Sequence, residues 1–146
     1  MQILLDENIP APALASLAVL VPHRFAHAND LGWAGTTDPA LFALARRDGF
    51  DAIVALDRKQ LHAHAEWSAL TKARLHHISI RQSRATQGAA GSLRLMASLL
   101  VAMPRILDDL TSRTGGCVVE VRLLEDQSRH EAWTYREHEQ RSTQRR

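Results

Sequence analysis

The 146-residue chain predicts an α/β fold built on a mainly parallel five-stranded sheet. Two observations predict it. Short apolar runs of strand length alternate with segments of helical spacing as far as about residue 124. The length suits one domain, and an apolar share of 45% is enough for an ordinary core. Strict alternation of this kind favours right-handed βαβ units, a parallel sheet and helices on both of its faces.

The elements follow in order. Residues 2–5 are an apolar run that reads as a buried first strand. Asn8 is a candidate helix cap and Pro10 fits a first turn. The first helix is expected over 11–20, with Leu14, Leu17 and Val21 on one face and Pro22 as its stop. A second strand covers 23–28, followed by the turn Asn29-Asp30-Leu31-Gly32 and a loop from Trp33 to Thr37. Asp38-Pro39 opens a second helix, with Leu41, Leu44 and Ala45 apolar and Gly49 as the stop signal.

Residues 51–56 form a third strand, and a short helix is expected from Asp57 to about Glu66. A fourth strand covers 75–80. A long helix is expected over 92–110, kinked by Pro104, and Gly115-Gly116 ends it before a fifth strand over 117–123. The domain is thus expected to span 1–124. Residues 125–146 are polar and Arg-rich, a tail or an appended helix.

Bulk features narrow the function class. No apolar run is read as long enough to span a bilayer. No leader with a basic start and a small-residue cleavage site is apparent. Cys117 is the only cysteine, which fits a reducing compartment, so a cytoplasmic protein is expected. The formal charge is +2, unevenly spread. Residues 1–60 carry seven acids and five bases, and residues 61–146 nine acids and thirteen bases. Most of the bases are Arg, which favours bidentate contact with phosphate or carboxylate. Acid in one half and Arg in the other suits a metal-using enzyme on a phosphate-rich polymer; it suits an ordinary solvated surface equally well.

Open parallel sheets bind ligands beyond the carboxyl ends of their strands. Asp6 follows the first strand, Asp38 the loop after the second, and Asp57 the third. Carboxylates that converge repel one another unless a cation neutralises them. Their hard oxygens suit Mg²⁺ or Mn²⁺. Such a site polarises a phosphodiester and lowers the pKa of the attacking water. Each acid has a plainer reading. Asp38 and Asp57 are good helix caps, and Asp6 can close a turn. Three acids at three corresponding ends favour the site.

The run Leu4-Leu5-Asp6-Glu7-Asn8-Ile9-Pro10 resembles the opening of the PIN-like predicted nucleases of bacterial toxin–antitoxin operons. The resemblance continues through Asp30-Leu31-Gly32, Asp38 at a helix start, Ile53-Val54-Ala55-Leu56-Asp57 and Ile78-Ser79-Ile80-Arg81, covering residues 1–81. It implies a PIN-like three-layer α/β/α sandwich, a divalent-metal site of acidic residues, RNA cleavage and a small antitoxin partner. On that reading Asp6, Asp38 and Asp57 hold the metal, and Asn8, Lys59 and Arg81 face the substrate. The chain departs from the pattern at two positions. Ala55 stands where Thr or Ser is usual two residues before the third acid, and Lys59 stands where a further acid is common. The site then runs on three acids, recruits Glu7, or belongs to a degenerate module that binds RNA or a protein without cutting.

Other residues carry less. Trp33 reads as a partly buried loop anchor or as a stacking surface for a base. The pairs His62/His64 and His76/His77 lack the companions of a zinc site. A receiver-type signalling domain needs Lys near the end of the last strand, and the only lysines are Lys59 and Lys72. The apolar long helix is a candidate surface for a homodimer.

Overall fold

Ile3, Leu4 and Leu5 are fully buried because the strand that carries them is covered on both faces, as central parallel strands are. This is β1 (Gln2–Leu5). It pairs with β2 (Arg24–His27) on one side and β3 (Ala52–Asp57) on the other. Beyond β3 lie β4 (His76–Arg81) and β5 (Val118–Val121). The order is β2-β1-β3-β4-β5 and every neighbouring pair is parallel, so the expected sheet is present and wholly rather than mainly parallel. The computed structural model describes residues 1–57, 64–81 and 83–124, with the backbone alone of Asp57 and His64. The expected tail, Lys59 and His62 lie outside the described residues.

Among the described residues the α-helices are α1 (Pro12–Leu20), α2 (Asp38–Arg47), α3 (His64–Ala73) and α4 (Gly88–Thr111). Strand periodicity divides their partners. Ile3, Leu5, Ala52, Val54, Ile78 and Ile80 face α1 and α4. Leu4 and Ile53 face α2 and α3, where they meet Leu41, Phe42, Ala45, Leu70 and Ala73. Two helices on each face give three layers, α/β/α.

That division corrects one expectation. α1 carries the chain from β1 outward to β2 on one face. α2 and α3 carry it in the opposite direction, to β3 and β4, on the other face. These three crossovers therefore share one hand. α4 moves the chain from β4 to β5 in the same direction as α3 moves it from β3 to β4, yet on the face of α1. The β4–α4–β5 unit thus has the opposite hand to the other three, against a strong preference for right-handed units. Burial supplies the reason. α1 covers the β1 end of its face and leaves Ile78, Ile80 and Val121 bare. The stripe Leu95, Leu99, Met103, Leu107 and Leu110 on α4 fills that space. Each such side chain contributes on the order of 1.5–3 kcal/mol on burial.

Glycines admit this crossover at both ends. A Cβ on Gly91 would lie 2.3 Å from the Thr86 carbonyl carbon, and one on Gly116 would lie 2.6 Å from the Leu75 oxygen. After β5 the chain stays on α4: the Leu124 N–H donates to Ser98 Oγ at 3.0 Å.

Several boundaries differ from expectation. α1 begins at Pro12 after Ala11, with no side-chain cap, so Asn8 does not cap it. α3 runs to Ala73 rather than ending near Glu66, because Leu70 and Ala73 pack under Ile53 and Leu75. α4 starts at Gly88, four residues early, behind a short turn at Arg84–Thr86 closed by a Ser83/Thr86 capping box. The helix continues through Pro104 to Thr111, and by length and mean hydropathy its 24 residues meet the requirement for a membrane span, against the expectation that no apolar run does.

Two predictions follow from the packing. Gly91→Ala should cost about 1–3 kcal/mol, the usual penalty of an overpacked contact, read as a fall in the urea midpoint; an unchanged midpoint would refute the close approach. His76 is buried and its Nδ1 accepts the Cys117 N–H at 3.1 Å. Burial holds its pKa below the ordinary 6.5, with Asp51 opposing and Arg113 adding to the shift. The unfolded chain therefore takes up this proton first. The contribution is complete above about pH 6.5 and is lost as pH falls below it. Between about pH 7.5 and 5.5 wild type should lose more stability than His76→Gln; equal losses would count against it.

Candidate active site

The carboxyl edge of the sheet is built around the tip of β1. The Asp6 N–H donates to the Val54 carbonyl at 2.9 Å, extending the β1–β3 ladder by one step, and the Ala28 N–H donates to Leu5 O at 2.8 Å on the other side. Asp6 is therefore fixed at the backbone on the β3 side, level with Ala55. Its side chain is ordered from within the turn. Oδ2 accepts the Asn8 side-chain amide at 3.0 Å and, more weakly, the Asn8 N–H at 3.5 Å. Asn8 thus has a role the cap reading missed: it orients Asp6.

Asp57 is the last residue of β3. Continuing the register puts its backbone about 7 Å further along than that of Asp6 and about 5 Å across. It is the register partner of Arg81, the exposed last residue of β4. The structure thus brings Asp6, Asp57 and Arg81 to three successive strand ends.

Asp38 is reached through the loop after β2. It is not the cap of α2: Thr37 holds that position in extended conformation, and Asp38 is the first helical residue, followed by Pro39. There its charge meets the positive end of the helix dipole. The loop that delivers it is tied to the β1 tip twice. His27, 1% exposed, sits between Ile9 O at 2.9 Å from Nε2 and the Asn29 N–H at 3.2 Å from Nδ1. The pattern assigns a neutral ring with the proton on Nε2, donating to the carbonyl. Glu7 accepts the Gly35 N–H through Oε2, so its carboxylate fastens the loop. Trp33 is half-buried and meets Phe50 edge-on at 6.0 Å between ring centres, the anchoring role of its two readings.

Sequence reasoning missed His27. The available signal was an imidazole following the apolar pair Phe25-Ala26 at the strand's end, two residues before an Asn-Asp turn. His76 and His77 face opposite sides of the sheet. His76 bonds Cys117 and His77 packs edge-on against Phe42, so the pair forms no common ligand set.

Among the described residues no group of three or more His, Cys, Asp or Glu side chains gathers closely enough to hold a metal ion; the side chain of Asp57 is not among them. A cavity of about 530 Å³ opens at the opposite, amino edge, lined by Met1, His23, Arg24, Gly49 and Asp51 among others. There the N-terminal ammonium lies 3.1 Å from His23 Nδ1, and Asp51 Oδ2 accepts the Gln2 N–H at 2.7 Å. Comparison with family models, curated proteins and solved structures returns no match for the chain.

The clamp is testable by itself. Glu7→Ala should speed hydrogen exchange at the Gly35 amide while the Asp6 amide keeps its protection, with a stability loss below about 1 kcal/mol at this exposed site. Unchanged exchange at Gly35 would show that Glu7 does not hold the loop.

Proposed function

We propose that this chain is a divalent-metal-dependent ribonuclease of the PIN-like kind, acting in the cytoplasm as the toxin of a toxin–antitoxin pair. The observation that carries the reading is the placement of Asp6 and Asp57 on neighbouring strand ends, where the strand order reverses. Ligand sites of doubly wound sheets form at that point. The opening run from Leu4 to Pro10 and its continuation to Arg81 supply the resemblance.

Two carboxylates fit a hard cation such as Mg²⁺ or Mn²⁺, which commonly takes one or two protein carboxylates and completes its shell with water and substrate phosphate. Bound there, the cation would polarise the phosphodiester and acidify the attacking water. The protein residues take distinct parts. Asp6 and Asp57 hold the cation, with Asp38 supplying further negative charge from the first turn of α2. Asn8 keeps Asp6 in one orientation. Arg81, beside Asp57, binds a backbone phosphate of the RNA through its planar fork, and Lys59 is the second phosphate contact. A cognate antitoxin is the protein partner in this reading.

Ala55 and Lys59 favour one rival, a degenerate module that binds RNA without cutting. Receiver domains use the same strand order, but they need Lys after the last strand; here Val121 is followed by Arg122.

The test is cleavage of single-stranded RNA with saturating Mg²⁺ or Mn²⁺, set beside Asp6→Asn and Asp57→Asn. The variants should be slower by about 100-fold or more, the scale of losing one electrostatic stabiliser. Wild type cutting no faster than the variants would end the enzyme reading, and RNA retained without cleavage would establish the degenerate one. The toxin role separately predicts growth arrest on expression; normal growth with good soluble yield would refute it.

A further inference from the structure

The carboxyl edge of the sheet changes sign along its length. Arg81 is the register partner of Asp57. Ile80 is the register partner of Val121, so one further step sets Arg122 beside Arg81. Asp57, Arg81 and Arg122 thus form one row across β3, β4 and β5, about 5 Å from strand to strand. Arg84, in the turn that follows β4, extends the positive charge. Arg81, Arg84 and Arg122 are all exposed.

Stability gives no reason for the Arg81/Arg122 pair, since like charges placed opposite each other in a sheet repel. Among the described residues no carboxylate relieves them. None of the three guanidinium groups takes part in a hydrogen bond or an ion pair. Glu120 lies two residues before Arg122, on the same face, and pairs with neither neighbour. The space beside the row is open. Arg81 shares its face with His77, which meets Phe42 of α2. On that face β5 leaves Val118 48% exposed, with Glu120 and Arg122 exposed beyond it.

We infer that this row is a phosphate track for single-stranded RNA. The strand crosses the edge from the acids of β1 and β3 toward β5, and Arg81 and then Arg122 each hold one phosphate through the guanidinium fork. The inference rests on the ribonuclease reading for the polymer and adds its path, with Arg122 as a binding residue. Cations spaced across successive strands match charges spaced along an extended backbone. An acidic protein laid on the same row would bring carboxylates against Asp6 and Asp57, whereas RNA brings a phosphate that a cation held there can share. Contacts of this kind position the polymer without reading its sequence.

The test is binding without cleavage. Labelled short oligouridine and oligoadenosine are titrated with the purified full chain in EDTA at several KCl concentrations, and the affinity is read by fluorescence anisotropy. Each phosphate neutralised on a single strand adds about 0.7 to the slope of log affinity against log salt. Arg122→Ala should make that slope shallower by about 0.7, and Arg81→Ala/Arg122→Ala by about 1.4, equally for both sequences and with unchanged far-ultraviolet circular dichroism. Arg122→Lys keeps the charge and should restore the wild-type slope. Arg46→Ala, in the last turn of α2 at the amino edge, should leave it unchanged. No binding by wild type would overturn the inference. So would an unchanged slope in Arg122→Ala, an equal fall in Arg46→Ala, or an effect confined to one oligonucleotide. Divalent cations are absent throughout, so failure here is distinct from failure of the cleavage test.

Discussion

The rest of the molecule depends on β1 lying between β2 and β3 with both of its edges bonded. That position buries Ile3, Leu4 and Leu5 on opposite faces of one sheet. It also makes the strand order reverse beside β1. The segment after β1 leads to α1 on one face, and the segment after β3 leads to α3 on the other. Doubly wound sheets bind their ligands at such a reversal, and the hydrogen bond from the Asp6 N–H to Val54 O fixes Asp6 beside it. The location of the candidate chemistry is thus a consequence of how the core is shared.

The loop from Asn29 to Thr37 shows how polar bonds complete what the sheet begins. Burial alone fixes strands and helices, but it does not fix a surface loop. Here a neutral buried imidazole and one carboxylate bind that loop to the β1 turn. Glu7 is therefore occupied in holding the approach of Asp38, which leaves Asp6 and Asp57 as the carboxylates of the proposed cation site.

Much of this was legible in the sequence because strand burial has a strong signature. Ile3-Leu4-Leu5 and Ala52-Ile53-Val54-Ala55-Leu56 have no plausible place but a covered strand. Asp38-Pro39 marked the start of α2 to the residue, although Thr37 is the cap. The errors lie where tertiary packing outweighed local preference. Nothing local to residues 88–111 specifies which face α4 takes, since that depends on the area α1 leaves uncovered. α3 extends to Ala73 because a cluster formed by distant strands receives its last turn. Asn8 has the chemistry of a cap, and the turn uses the same amide to hold Asp6. Of the candidate site, the acids and Arg81 were legible by position along the chain, whereas His27 and the Glu7 clamp arise from contacts 18 and 28 residues apart.

The central claim is that the acids at the β1/β3 reversal form one cation site. Anomalous diffraction from crystals soaked in saturating Mn²⁺ tests it most directly. The account predicts one peak shared by the carboxylates of Asp6 and Asp57, absent from Asp6→Asn crystals. A saturated crystal with no density there, or with its peak only at the amino-edge cavity beside Asp51, would contradict it.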